Sequence, residues 1–128
     1  MNKIKRLPDT EFEIMKVVWA NEPPITTSII MEKLGNKREW KMPTAISLLL
    51  RLVDRGFLRT EKFAKERLYY PLIEKDEYLQ FETANFIRLH HDNSVISLVN
   101  SLYKAKKLNK NDIRALLKWA NERDQNGD

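Results

Sequence analysis

Three polar residues recur at a spacing that brings their side chains together on a helix. Thr44, Ser47 and Arg51 lie three and four positions apart, so a helix with about 100° of rotation per residue places them on one face. Hydroxyl groups can hydrogen-bond to the edges of DNA bases, and a guanidinium group can reach a base or a phosphate. The spacing therefore predicts a surface that reads DNA, and an ordinary solvated helix face is the alternative interpretation.

Thr44, Ser47 and Arg51 are called the strip below. Residues that can bind phosphate lie on both sides of the strip in the sequence. A lysine stands just before it, and three cations are clustered shortly after it. Two threonines begin an earlier predicted helix, whose first amide groups can also bind a phosphate. Phosphate contacts position a protein on DNA, whereas base contacts give specificity. The predicted phosphate contacts are Thr26, Thr27, Lys41, Lys62, Lys65 and Arg67.

The net charge of +5 is distributed unevenly along the 128 residues. Residues 1–73 contain 14 Lys and Arg against 9 Asp and Glu, whereas residues 74–128 contain 9 of each kind. A basic excess confined to the N-terminal part favours a polyanionic partner for that part. Many proteins that bind no nucleic acid carry a similar charge, so the asymmetry supports DNA binding without requiring it.

The composition excludes several classes of function. The chain has no cysteine, which rules out disulfides, thiolate metal sites and cysteine nucleophiles. His90 and His91 are its only histidines. Adjacent helical residues point about 100° apart, so this pair is expected to complement the negative end of a helix rather than share a metal ion. No nucleophile–base pair or phosphate-binding loop is present, so we expect no enzyme activity, no cofactor and no metal.

The sequence also lacks signals for export or membrane insertion. No stretch has the roughly 20 consecutive apolar residues of a membrane helix. The N-terminal residues lack the apolar core of a signal peptide. We therefore expect a cytoplasmic protein.

The predicted elements that carry the strip are three helices followed by a β-hairpin. Apolar periodicity, with proline and glycine at the expected ends, predicts helices over residues 9–21, 27–34 and 42–55. Two β-rich runs, 57–61 and 67–72, flank a polar segment and predict a hairpin with a basic tip. Apolar residues fill a broad arc of the third helix, so this helix is expected to be buried on most sides.

Three helices followed by a hairpin is the order of a winged helix-turn-helix domain. Its second and third helices form the helix-turn-helix, and the hairpin is the wing. The predicted fold class is therefore mainly α with a small β-hairpin wing, and the predicted DNA-binding domain is residues 1–73. A winged helix that binds protein rather than specific DNA is the alternative function.

Residues 74–128 are predicted to form a helical dimerisation region. Helices are expected over 75–91 and 94–106, and Asn109 is expected to cap a third. Three such helices cannot bury much apolar surface alone, and a second copy of the segment is the simplest cover. Packing against the N-terminal domain is the alternative. The predicted dimer contacts are Tyr78, Phe81, Phe86, Leu89, Val95, Leu98, Leu102, Ile113 and Leu117.

Four stretches of the chain resemble the penicillinase and methicillin-resistance repressor family. They read DTEFEIMKVVW at 9–19, WKMPT at 40–44, LLRLVDRGFL at 49–58 and YYP at 69–71. The resemblance implies a homodimeric transcriptional repressor that binds a palindromic operator, with an N-terminal winged helix and a C-terminal helical dimerisation region. Members silence resistance operons, and many are inactivated by a sensor-linked protease that cuts within the C-terminal helices.

The chain keeps part of the family pattern and departs from it elsewhere. Thr44 and Arg51 match the recognition helix, and Ser47 stands where a small hydroxyl is usual. Pro43 replaces a lysine of the β-lactam-responsive members, so a different operator is expected. The scissile Asn-Phe pair of those members matches Ser101-Leu102 here, so neither the same protease nor a β-lactam signal is expected. The absence of cysteine excludes the copper-sensing cluster of another branch.

Overall fold

The fold is mainly helical with one small sheet, which confirms the predicted fold class. The structure is a computed structural model that describes residues 4–125. No helix in this part of the chain combines the length and apolarity needed to cross a membrane. In chain order the elements are α1 (Asp9–Trp19), β1 (Ile25–Thr26), α2 (Thr27–Ile30), a π-helix (Met31–Gly35), α3 (Met42–Asp54), β2 (Leu58–Phe63), β3 (Glu66–Pro71), α4 (Lys75–His91), α5 (Val95–Lys104) and α6 (Lys110–Gln125).

Residues at the helix ends explain where several helices begin and end. Pro43 lies in the first turn of α3, where its missing N–H has no intrahelical partner in any case. Gly56 follows that helix with φ of 83°, a conformation that other residues adopt only with strain. Asn109 and Asp112 cap α6 reciprocally, each side chain accepting from the other's amide at 2.9 and 3.0 Å. The predicted role of Asn109 is therefore confirmed.

The second helix of the prediction is interrupted. Thr26 caps a short α2, since its Oγ1 accepts a hydrogen bond from Ile29 N at 3.2 Å. The chain then continues as a π-helix, and Asn36 N donates to Met31 O, five residues back, at 2.8 Å. A π-turn contains one residue more than an α-turn. Apolar periodicity over eight positions cannot distinguish the two. One regular helix over 27–34 is therefore a wrong prediction in its second half.

The sheet is antiparallel with strand order β1-β3-β2, and β2 and β3 form the predicted wing. The wing strands reach closer to the tip than predicted, because Phe63 pairs with Glu66 and leaves a two-residue turn. Ala64 occupies that turn with φ of 56°. β1 is absent from the predicted elements, since two residues show no periodicity. Its Ile25 pairs with Tyr69 of β3 and adds a third strand to the wing.

The first of two compact units extends to Glu82 and has a continuous apolar core. One carboxylate lies inside it, that of Glu11, which is 2% exposed. Arg55 Nε donates to Glu11 Oε1 at 2.7 Å and thereby ties the end of α3 to α1. The buried apolar residues are Leu7, Ile14, Met15, Val18, Ile25, Ile30, Ala45, Leu48, Leu49, Leu52, Phe57, Leu58, Tyr69, Ile73 and Tyr78.

Tyr78 is buried within this first unit, which corrects its expected place on a dimer surface, and Phe81 packs against the same core while remaining partly exposed. Tyr78 is fully buried, and its hydroxyl accepts a hydrogen bond from Leu7 N at 2.8 Å. The Tyr78 ring lies 5.4 Å from that of Phe57 and 6.1 Å from that of Phe81. The first turns of α4 therefore complete the winged-helix core. A side chain that is buried within its own unit cannot form part of a contact surface with a second copy of the chain.

The second unit begins at Thr83 and contains the rest of α4 together with α5 and α6. Its boundary lies within α4, whereas the sequence analysis places a division between residues 73 and 74. Neither α5 nor α6 contains a buried residue. His90 and His91 occupy the last turn of α4, where they can complement the helix dipole. Within residues 4–125, no three potential ligands among His, Asp and Glu lie close enough to hold a metal ion.

Candidate nucleic-acid interface

Helix α3 presents the predicted strip to solvent. Four apolar side chains on one side of α3 are buried in the core, and Thr44, Ser47 and Arg51 are exposed on the other. Hydroxyl groups both donate and accept hydrogen bonds, whereas a guanidinium group only donates. The strip can therefore meet both donors and acceptors on base edges in a major groove.

Contacts at both ends of α3 fix its orientation. At the start, Trp40 packs against the core, and its backbone N–H donates to Gly35 O at 2.9 Å. At the end, Arg55 makes the ion pair with the buried Glu11. Arg55 Nε donates to Glu11 Oε1 at 2.7 Å, so this cation holds the end of the helix. Because the helix is held at both ends, the strip is presented as a rigid surface.

Two apolar side chains of α3 are exposed, contrary to the expectation of a helix buried on most sides. Met42 is 43% exposed and Leu50 is 39% exposed. The elements that pack against α3 cover a narrower arc of this helix than its run of leucines suggests. These elements are α1, the α2 and π-helix segment and β2. Exposed apolar groups on such a helix can meet the methyl group of thymine.

The residues expected to bind phosphate before α3 have different environments. Thr26 caps α2, since its hydroxyl oxygen accepts a hydrogen bond from Ile29 N. α2 has only four residues, so its dipole is small. Lys41 is exposed and occupies the N-cap position of α3 with extended backbone. Lys41 is thus placed beside the strip, while Thr26 acts as a positioning residue.

A cleft of about 370 Å³ separates the wing from the N-terminal end of α2. Lys62 and Arg67 are directly paired across β2 and β3, so both side chains lie on the same face of the wing. Both line the cleft, as does Lys65 of the turn. The opposite wall is formed by hydroxyl-bearing residues of α2. The cleft is lined by Thr27, Ser28, Ile46, Lys62, Lys65, Glu66, Arg67 and Tyr69.

Tyr69 supplies a buried polar group at this cleft. Its side chain is fully buried, and its hydroxyl oxygen has no hydrogen-bond partner among the described residues. Burial raises the pKa of the Tyr69 hydroxyl, so this group is uncharged at neutral pH, as an ordinary tyrosine is. Three cations against the one carboxylate of Glu66 around the cleft suit a phosphate group.

The other face of the wing is stiffened by contacts between neighbouring side chains. The guanidinium group of Arg59 lies 3.9 Å from the centre of the Tyr70 ring. Tyr70 OH donates to Glu61 Oε1 at 3.0 Å on this face, and on the cleft face Thr60 Oγ1 donates to the backbone oxygen of Leu68 at 3.0 Å. These contacts hold the two strands together, so the cations on the cleft face have a fixed support.

The structure thus groups most of the predicted DNA contacts into two sets. Thr27 and the three wing cations share the cleft, and the strip of α3 forms the other set. The sequence analysis did not single out Phe63, which is 71% exposed at the end of β2. An apolar aromatic residue beside a lysine at a hairpin tip departs from the usual polarity of turns. This apolar residue in a polar turn is the sequence signal that could have indicated Phe63.

The sequence is similar to known repressors over nearly its whole length. A family model described as penicillinase repressor matches residues 7–122. The penicillinase repressor of Bacillus licheniformis is 28% identical over 116 residues, which cover 91% of this chain and 90% of that protein. The methicillin resistance regulatory protein MecI of Mammaliicoccus sciuri is 27% identical over 122 residues, which cover 95% of this chain and 98% of that protein.

Two solved structures are similar to part of the chain. The solution structure of the DNA binding domain of the repressor BlaI has a TM-score of 0.53 and 33% identity, and the match covers 61% of this chain and 94% of that one. The solution structure of monomeric Bacillus licheniformis BlaI in complex with the blaP half-operator has a TM-score of 0.50, with the same identity and coverage. These likenesses confirm the winged-helix fold.

Proposed function

Because the chain belongs to the penicillinase repressor family, we propose that it is a transcriptional repressor that binds a palindromic operator sequence-specifically as a homodimer. The match over residues 7–122 confirms the family that the sequence motifs indicate. This family consists of transcriptional repressors, which are not an enzyme class. The similarity to a penicillinase repressor and to a methicillin resistance regulatory protein supports a resistance operon as the target. The repressor is proposed to act in the cytoplasm, where it meets the operator.

One observation carries the DNA-binding proposal: a strip able to read bases and a cleft able to bind phosphate lie next to each other. Ile46 of α3 lies between two residues of the strip in sequence and also lines the cleft. DNA recognition needs this combination, because base edges and the flanking backbone are contacted at the same time. The similarity to a repressor solved in complex with a half-operator supports the same use of this surface.

The two sets of residues have different proposed roles. The strip contacts base edges in the major groove, with Arg51 as its long-range donor and the exposed Met42 as an apolar neighbour. The wing cations, Lys41 and Thr27 contact phosphates, because they surround the strip rather than belong to it. Thr26 is left out of the direct contacts, since its hydroxyl caps α2.

The proposed homodimer rests on apolar surface in the second unit. Isolated exposed apolar residues are common on proteins, but many on one small unit indicate an interaction surface. Six of the predicted contacts are among the exposed residues, and Leu98 is half-buried. A second copy is the proposed cover, because a twofold dimer would present two winged helices to a palindrome. The exposed large apolar side chains of this unit are Phe86, Leu89, Val95, Ile96, Leu102, Tyr103, Ile113, Leu116, Leu117 and Trp119.

A sensor-linked protease is the further partner that the family resemblance suggests. Ser101 and Leu102, which match the cleavage pair, are both exposed within α5. A helical bond must open locally before a protease can cut it, so cleavage here requires local unfolding of α5. Such a cut would separate α6 from the rest of the chain and remove part of the proposed dimer surface. Because the pair is not Asn-Phe, the proposed protease has a different specificity.

Selection from random-sequence duplexes tests the DNA-binding proposal directly. The full-length protein is incubated with the library at low salt, and the retained DNA is sequenced over successive rounds. We expect a motif with twofold symmetry, whose half-sites lie about one helical turn or a multiple of it apart. Sedimentation of the complex is expected to give two chains per operator. Arg51→Gln should lose the enriched motif, whereas Lys75→Gln, which removes an exposed charge elsewhere in the first unit, should keep it.

Two results would overturn the proposal. If no duplex is retained at low salt, the winged helix is not a DNA-binding module and the alternative of a protein-binding module is favoured. If the enriched motif has no symmetry and one chain binds each duplex, DNA binding stands and the homodimer is wrong.

A further inference from the structure

A second cleft of about 620 Å³ lies on the first unit and shares no residue with the cleft at the wing. It runs between α1 and the segment from the π-helix to the turn before α3. This volume is within the range of pockets that hold small ligands, about 300–1,000 Å³. The lining residues are Glu13, Lys16, Val17, Ala20, Asn21, Lys33, Leu34, Lys37 and Arg38.

The rim of this cleft is strongly basic. Four of the nine lining residues are cationic and one is a carboxylate. Arg38 forms an ion pair with Glu13 Oε1 across the cleft, and the ammonium group of Lys16 lies 5.2 Å above the Phe12 ring. Within residues 4–125, Lys33 and Lys37 form no ion pair. These two ammonium groups are therefore the ones available to an anion.

The remaining lining groups are apolar or already satisfied. Val17 and Leu34 are half-buried and pack against the core, and Ala20 adds a methyl group. Asn21 uses its side-chain amide to donate to Val17 O at 2.7 Å. A ligand in the cleft therefore meets a small apolar surface bordered by two ammonium groups and by Glu13, whose Oε1 is paired with Arg38 and whose Oε2 has no partner among the described residues. This chemistry complements an anion that carries a short hydrocarbon part.

The backbone beneath the cleft is unusual. Lys33 and Leu34 belong to the π-helix, whose carbonyl at Met31 accepts from the amide five residues on. Single π-turns inside helices occur frequently at functional sites. Lys33 and Leu34 of this π-helix line the cleft together with residues of α1.

We propose that this cleft is a binding site for a small organic carboxylate with a branched hydrocarbon part, held by Lys33 and Lys37 over Val17 and Leu34. This site is separate from the DNA-contacting strip and the wing, so the proposal does not depend on the proposed function. The carboxylate accepts hydrogen bonds from the two ammonium groups, and the hydrocarbon part covers apolar surface that is otherwise exposed to solvent. A charged group and an apolar group must both be present for full affinity.

Three probes separate the contributions of charge and apolar contact. The ¹⁵N-labelled full-length protein is titrated by NMR at constant ionic strength with 4-methylpentanoate, with 4-methylpentanamide and with acetate. We expect 4-methylpentanoate to shift the amide signals of residues 13–21 and 33–38 in a saturable way. The uncharged amide and acetate are each expected to bind at least tenfold more weakly. Lys33→Gln with Lys37→Gln should weaken 4-methylpentanoate at least tenfold, whereas Lys5→Gln with Lys75→Gln should leave its affinity unchanged.

Other outcomes refute the site. Equal binding of the uncharged amide would mean that the cleft is only an apolar patch, and equal binding of acetate would mean that its lysines only attract counterions. If a short random DNA duplex shifts the same amides and 4-methylpentanoate does not, the lysines belong to the DNA surface. The spectra themselves show whether each variant is folded, so a loss of binding cannot be confused with unfolding.

Discussion

The wing is proposed to bind phosphate, and the salt dependence of DNA binding tests this role quantitatively. Lys62 and Arg67 are paired across the two wing strands and share the cleft with Thr27. The change is the double variant Lys62→Gln with Arg67→Gln. Each phosphate neutralised by a cation contributes about −0.9 to the slope of log K against log salt. Losing two such contacts per chain should make the slope shallower by about 2 per chain, or about 4 for a dimer.

This slope converts to a measurable loss of affinity. From about 50 mM to about 200 mM salt, the wild-type dimer should lose about a hundredfold more affinity than the double variant. Fluorescence anisotropy with a labelled operator, repeated with a random duplex of the same length, measures both slopes. The variant should remain folded, because two like charges directly opposite each other on a hairpin are themselves destabilising.

Arg51→Gln is compared with the wing variant, because it is expected to change sequence discrimination. A residue that reads a base should reduce discrimination between operator and random DNA by about 1–3 kcal/mol. Lys5→Gln with Lys75→Gln removes the same charge as the wing variant from exposed positions elsewhere and should leave the slope unchanged. If the wing variant keeps the wild-type slope, the cleft does not bind phosphate. If Arg51→Gln weakens operator and random DNA equally, Arg51 does not read a base.

Four further changes test other parts of the structure. Phe63→Ser should weaken DNA binding by about 1 kcal/mol with an unchanged salt slope, if the exposed ring at the wing tip is covered by DNA; anisotropy on operator DNA measures this. Glu11→Gln removes the charge that holds Arg55 and should lower the free energy of unfolding by about 1–3 kcal/mol in urea titrations. Tyr78→Phe leaves the buried Leu7 N–H without its acceptor, and a similar loss of about 1–3 kcal/mol is expected in the same titration. Leu117→Asp places a charge on the proposed dimer surface, so sedimentation should show monomers; an unchanged dimer would remove α6 from that surface.

The features that could be predicted from the sequence are those set by local rules. The strip on α3 follows from helical spacing, the end of α3 from Gly56, and the cap of α6 from Asn109. The wing follows from two β-rich runs on either side of a polar turn. Each of these depends on residues within one or two turns of each other, so periodicity and turn chemistry are sufficient.

The features that could not be predicted depend on contacts between distant segments. Tyr78 looks like any apolar residue of an amphipathic helix, and only the fold shows that Leu7 and Phe57 lie against it. The division between the two compact units falls within helix α4, after Glu82, so one apolar pattern belongs to two different units along its length. Which of the two neighbouring threonines caps α2 likewise depends on where that helix begins, and the structure assigns the cap to Thr26.

The residues that fold the winged helix and those proposed to read DNA are separate sets. The core side of α3 is held by buried leucines and by the Glu11–Arg55 pair, whereas Thr44, Ser47 and Arg51 are exposed. Substitutions at exposed positions usually change stability by no more than about 0.5 kcal/mol. The strip can therefore vary with little effect on folding, and operator preference can change while the fold is kept. This separation would allow a chain that is 28% identical to the Bacillus licheniformis penicillinase repressor to keep the winged-helix fold with a different set of base contacts.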